Sequence, residues 1–186
     1  MDPVKRRTFM KGAAAGAFAF TVGGVEVMLT PGEARAQGVP LKVLTADEAK
    51  ALEAVGEAFA PGAREGGIAN FVDQQCSVPP HEALLNVRIA NVQPPFVNFY
   101  RAALTAIDKA CNAKHGKPFA ALSEAEQFDF INLMRQGKHE GWQGPPQAAI
   151  YGNFRADVVD VVYGTVEGFM RLGVPYMAHI EPKARW

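Results

Sequence analysis

Four histidines are the side chains with the most obvious capacity for metal or acid–base chemistry, and they are scattered along the chain. A zinc site needs three or four ligands that converge on one ion. Short pairs such as His139 and Glu140 supply two ligand-type residues at most. We therefore predict isolated surface or core histidines and no metal site. The four are His81, His115, His139 and His179.

Two acidic residues, Asp157 and Asp160, could act as a general acid and a general base. Their spacing places them on one face of a predicted helix. Two carboxyl groups divide such roles only where their surroundings separate their pKa values, and the neighbouring sequence offers no group that would do so. We interpret them as part of a solvated helix face or as partners of Arg155.

Sequence motifs for common cofactors are missing as well. The chain has no Gly-x-Gly-x-x-Gly after a strand, no phosphate-binding loop, no Cys-x-x-Cys-His for covalent haem and no His-Glu-x-x-His for zinc. The sequence therefore predicts no cofactor site in this chain.

Two cysteines, Cys76 and Cys111, leave three possibilities open. They could form an internal disulfide, which would stabilise the fold by roughly 4 kcal/mol through loop closure. One of them could instead form a bridge to another subunit, or both could be free thiols. Connectivity cannot be deduced from two cysteines alone.

The N-terminus, MDPVKRRTFMKG, has the features of a signal for the export of proteins that have already folded. Arg6 and Arg7 form an adjacent pair, followed by Phe9 and Lys11. A weakly apolar run from 13 to 29 follows, and Glu26 interrupts it, so the run would make a poor permanent membrane anchor. We predict a twin-arginine signal, with an ordinary secretion signal or an uncleaved anchor as alternatives.

Small residues at Ala34 and Ala36 form the small-x-small pattern that signal peptidases recognise, so cleavage is predicted after Ala36. The predicted division is a signal peptide over residues 1–36 and one domain over residues 37–186. Five of the 19 basic and three of the 19 acidic residues lie in the first segment, which leaves 14 basic and 16 acidic residues. This balance argues against nucleic acid or an anionic membrane as the main partner.

Helical signals dominate the second segment, which is predicted to be a single compact all-α domain. Capping boxes at Thr45–Glu48 and Ser123–Glu126 each precede an apolar periodic run. Pro95 opens another helix, and the β-branched stretch 158–163 is interpreted as a buried helix or helix end. The tail after Gly173 contains two prolines and is predicted to be irregular.

Aromatic residues lie on segments that a domain of this size need not bury, mixed with Gly, Pro, Met and Arg. This composition is typical of a protein interface. Phe169, Met170 and Leu172 have the alternative of completing the core. The candidate partner-binding residues are Trp142, Tyr151, Phe154, Tyr163, Tyr176, Met177 and Trp186.

Three stretches, in this order, resemble the gluconate 2-dehydrogenase subunit 3 family: LTADEAKALEAVGEAFAPGAREGGIANFVDQQ, FYRAALTAIDKACNAKHGKPFAALSEAEQ and VVYGTVEGFMRLGVPYMAHIEP. The resemblance covers the chain from about Leu44 to the C-terminus. It departs from many members near Tyr163, where Tyr-Gly-Thr-Val replaces a Tyr-Gly-Gly-Asn element, and this leaves the sugar or polyol substrate of the complex open.

The resemblance implies a small, non-catalytic subunit of a membrane-associated dehydrogenase complex in the periplasm, at the outer face of the inner membrane. Its partners would be a flavoprotein of the glucose-methanol-choline type, which binds FAD, and a c-type cytochrome carrying haem. The small subunit would escort the folded flavoprotein through twin-arginine export. The alternative function is a stand-alone periplasmic helical enzyme or ligand-binding protein.

Overall fold

The computed structural model describes residues 16–174, which form a β-hairpin, eight α-helices and one short 3-10 helix. This confirms the predicted helical domain. Among these residues, no helix combines the length and the apolar character needed to cross a membrane. The helices are α1 (Pro31–Ala36), α2 (Ala46–Phe59), α3 (Ile68–Cys76), α4 (Asn86–Ile89), α5 (Val97–His115), α6 (Glu124–Arg135), α7 (Gln147–Tyr163) and α8 (Val166–Arg171), and the 3-10 helix spans Phe119–Ala121.

Both predicted capping boxes are present. At the start of α2, the Thr45 N–H donates to Glu48 Oε2 over 2.8 Å, and the Glu48 N–H donates to Thr45 Oγ1 over 3.2 Å. Ser123 and Glu126 repeat this arrangement at the start of α6. These local hydrogen bonds fix where the two helices begin because they satisfy N–H groups that have no partner within the helix.

The main apolar core lies between α2, α3, α5, α6 and α7. Tyr100 of α5 and Phe154 of α7 are fully buried, with ring centroids 5.4 Å apart. Phe119 and Phe130 form a second buried ring pair at 5.5 Å. The stretch 158–163 is the last part of α7, as its sequence predicted.

The N-terminal hairpin was not predicted. Strand β1 (Phe18–Val22) pairs antiparallel with β2 (Val25–Leu29), with Phe20 opposite Val27. Gly23 and Gly24 connect them, both with positive φ, as a two-residue turn between right-twisted strands requires. The two strands were not identified because this stretch was interpreted from the sequence only as the apolar part of a leader.

The two cysteines are free thiols, so the internal disulfide is absent from this structure. Cys76 ends α3 and is half-buried, whereas Cys111 lies on α5 and is buried. Burial raises the pKa of each thiol to about 12, which keeps both protonated near neutral pH. A bridge from either cysteine to another subunit stays a prediction.

Candidate partner-binding surface

A closed polar network surrounds Asp157 in the core. Its Oδ2 accepts a 2.6 Å hydrogen bond from the Tyr100 hydroxyl, and its Oδ1 accepts one of 3.0 Å from the Asn86 N–H. The Asn86 side chain donates in turn to Asn153 Oδ1 over 2.8 Å. The network therefore links α4, α5 and α7 to one another.

The interpretation of Asp157 as a solvated residue was wrong. Its side chain is 1% exposed, and burial raises the pKa of its carboxyl to about 6. Asp160 lies at the surface, and partial burial raises its pKa as well. The sequence offered no sign of this difference, because the donor to Asp157 lies 57 residues away on another helix.

The described histidines occupy separate places. His139 stacks on Phe130 with ring centroids 4.0 Å apart, and its Nε2 lies 2.9 Å from the Phe130 carbonyl oxygen. Burial lowers the pKa of His139 and favours its neutral form. His81 and His115 lie beside surface glutamates, and His179 falls outside the described residues. Within 16–174, no group of three or more His, Cys, Asp or Glu residues could hold a metal ion.

Four of the predicted interface residues can be placed. Phe154 is 1% exposed and belongs to the core, so it has no surface to offer a partner. Tyr151 is half-buried, with its ring 5.3 Å from that of Phe59, and Tyr163 is half-buried against the core. Trp142 is also half-buried, and its indole N–H donates to the Pro145 carbonyl over 2.8 Å. Tyr176, Met177 and Trp186 lie outside the described residues.

Trp142 faces a cationic hollow of about 560 Å³ between α5 and the loop after α6. Lys109, Lys114 and Lys138 line it together with one acidic residue, Glu140, and none of the three lysines forms an ion pair with a described residue. Unpaired positive charges around a concave surface attract acidic groups. This hollow has a charged lining, whereas the exposed side chains of α8 include large apolar residues.

Four of the eleven exposed large apolar residues in the described part of the chain lie on α8 or directly after it, and the others lie on the hairpin, at α4, on α6 and on α7. Met170 is 72% exposed and Leu172 is 56% exposed. The alternative that these two complete the core is therefore wrong. We define the α8 apolar surface as Val166, Met170, Leu172 and Val174, all of which are exposed.

This surface leads directly into the residues predicted to bind a partner. Val174 is the last described residue, and Tyr176 and Met177 follow it in the sequence. A run of large apolar side chains in water is typical of a protein–protein interface. The sequence predicted partner-binding residues in this region, including Tyr163, Tyr176 and Met177, and a partner interface here stays a prediction.

Comparison with known families gives one match. The sequence model of the family Gluconate 2-dehydrogenase subunit 3 matches residues 46–177. No curated protein and no solved structure is significantly similar to the chain. The match begins at the first residue of α2 and includes every helix from α2 to α8, whereas the hairpin and α1 precede it.

Proposed function

Because the chain belongs to the gluconate 2-dehydrogenase subunit 3 family, we propose that it is the non-catalytic small subunit of a periplasmic FAD-dependent dehydrogenase complex. The catalytic subunit would be a flavoprotein of the glucose-methanol-choline type, and a c-type cytochrome would accept its electrons. The match over residues 46–177 is the observation that carries this proposal, since it includes the whole helical domain from α2 to α8.

The proposed contact with the flavoprotein uses the α8 apolar surface together with the tail beyond it. Met170 and Leu172 expose more than half of their surface. A few large side chains usually provide most of the energy of an interface, each contributing on the order of 2 kcal/mol when buried on a partner. The surface is continuous in sequence with Tyr176 and Met177, which have the same apolar character.

The proposed second role is escort. The paired arginines Arg6 and Arg7 belong to a signal that moves folded proteins, and this chain has no cofactor motif of its own that would require folding before export. A flavoprotein that binds FAD in the cytoplasm does require such a route. We therefore propose that the small subunit carries the export signal for both chains.

The test is co-purification of an affinity-tagged full chain with the protein encoded beside it. Flavin absorbance should appear only in the fraction that contains both chains. Met170→Asp should remove most of the flavoprotein from that fraction, because it places a charge at the centre of the α8 apolar surface. The melting temperature of the isolated chain should change little, since Met170 is exposed.

Phe128→Asp is the matched control. Phe128 is 66% exposed, a fraction similar to that of Met170, but it lies on α6. This variant should retain the flavoprotein. Equal loss in both variants would contradict the proposed location, whereas a colourless monomer that oxidises a sugar by itself would contradict the subunit function.

A further inference from the structure

The segment between residues 18 and 39, interpreted from the sequence as mostly leader, is packed onto the domain. Ala34 is completely buried within α1, and its N–H donates to the Thr30 carbonyl over 2.9 Å. Thr30 and Glu33 form a third capping box at the start of α1. Together with Phe20, Leu29 and Val39, Ala34 forms a small second core.

Gly67, at the start of α3, is where α1 approaches the domain most closely. Gly67 has a φ of +79°, and a Cβ atom added there would overlap the carbonyl group of Pro31. Gly32 also touches this loop, because a Cβ on it would lie 2.9 Å from the Glu65 carbonyl oxygen. The contact between this loop and α1 therefore leaves no room for a side chain at Gly67.

Charged and aromatic contacts also join α1 and the hairpin to the helical domain. Arg35 of α1 pairs with Glu53 of α2 over 2.8 Å, and Arg64 approaches the other Glu53 oxygen at 3.4 Å. The Glu53 side chain is only 17% exposed, which limits screening by solvent. The Phe18 ring of the hairpin lies 5.6 Å from the ring of Phe71 on α3.

We propose that the domain binds residues 18–39 of its own leader and thereby closes the processing site at Ala34 and Ala36. Peptidases that read a small-x-small pattern bind it as an extended segment. Here the same residues are helical, and although Ala36 is exposed, the Ala34 side chain that the peptidase must also bind is 0% exposed. The site becomes accessible only when the segment leaves the domain, so cleavage follows the population of that open form.

A chain that folds in the cytoplasm would reach the periplasm with its processing site already closed and would keep its leader. The inference depends on the proposed export only for the compartment, because docking is a property of the chain alone. The cleavage after Ala36 predicted from the sequence would then require a chain whose leader is undocked.

The test uses the purified full chain, without flavoprotein, incubated with a signal peptidase and followed by intact mass. The wild-type chain should remain uncut over a period in which Gly67→Ala is cleaved after Ala36 at least tenfold faster. Gly116→Ala is the matched control. Gly116 also has a positive φ, at the end of α5, but a Cβ there meets nothing within 4 Å, so this variant should stay uncut.

A second variant preserves both the leader sequence and the backbone. Glu53→Gln removes the negative charge that Arg35 and Arg64 approach and should also accelerate cleavage, whereas Asp129→Asn, at an exposed carboxylate on α6, should not. Wild-type cleavage as fast as that of Gly67→Ala would overturn the inference. So would folded Gly67→Ala and Glu53→Gln chains that resist as well as wild type. Because the assay contains no partner, failure of the proposed function would not affect its outcome.

Discussion

At the scale of single residues, Asp157 decides how the core responds to pH. Its buried carboxyl holds its proton up to a pH of about 6, well above the ordinary value of 3.8. The folded chain therefore binds more protons than the unfolded chain between these values. It follows that the contribution of Asp157 to stability falls as pH rises from 4 to 6.

We expect Asp157→Asn to remove this dependence. The free energy of unfolding of the wild type should fall, relative to that of the variant, by about 3 kcal/mol between pH 3 and pH 7. Urea unfolding at several pH values measures the difference. Asp129→Asn on the exposed face of α6 is the control and should run parallel to wild type. Parallel curves for Asp157→Asn would show that this carboxyl titrates normally.

The cysteines provide a second prediction at this scale. Since burial raises the pKa of Cys76 and Cys111 to about 12, alkylation of the folded chain at pH 8 should be slow. Unfolding without a reducing agent should make both thiols react at once, and mass spectrometry counts the added groups. Two missing groups and a mass lower by two hydrogens would reveal an internal disulfide instead. A heavier reducible band in the assembled complex would indicate a bridge between subunits.

At the scale of elements, local signals were predictable and distant contacts were not. The boxes at Thr45 and Ser123 were identified because each depends on residues three positions apart. The hairpin was missed although Gly23 and Gly24 lie between two alternating stretches, a pattern typical of a tight turn. Its apolar character fits a leader equally well, so the sequence alone did not indicate that these residues pair as strands and pack against α3.

The candidate site shows the same limit. Phe154 and Met170 are both large apolar residues on helices near the C-terminus, and the sequence gives no means of telling which is buried. Tertiary packing places Phe154 against Tyr100 and leaves Met170 in water. The sequence could therefore suggest a region for partner binding, but which of its apolar residues are exposed required the fold.

Deletion of residues 175–186 tests the tail as an element. If the tail binds the flavoprotein, the melting temperature of the truncated chain should stay nearly unchanged while the flavoprotein no longer co-purifies. If the tail instead packs across its own helices, the truncated domain should lose stability. Calorimetry of the isolated chain and a pull-down of the complex separate the two outcomes. An unfolded truncated chain would contradict the interface proposal.

At the scale of the whole molecule, the two proposed interactions lie next to each other, because Pro31 of α1 and Arg171 of α8 line the same cavity of about 390 Å³. The segment 18–39 packs against α2 and α3, while Met170 and Leu172 of the α8 apolar surface stay exposed. Residues of the paired-arginine motif precede the described part of the chain. In this arrangement folding can close the processing site without covering the surface proposed for the flavoprotein.

Replacing Arg6 and Arg7 together by lysine tests the escort role. Lysine keeps the charge but lacks the planar guanidinium group, and a receptor that reads paired arginines should reject it. Both this chain and the flavoprotein should then remain in the cytoplasm, as cell fractionation and periplasmic dehydrogenase activity would show. Lys5→Arg is the control, because it leaves the pair intact. Normal export of the flavoprotein beside a stranded small subunit would contradict escort, since the flavoprotein would then carry its own route across the membrane.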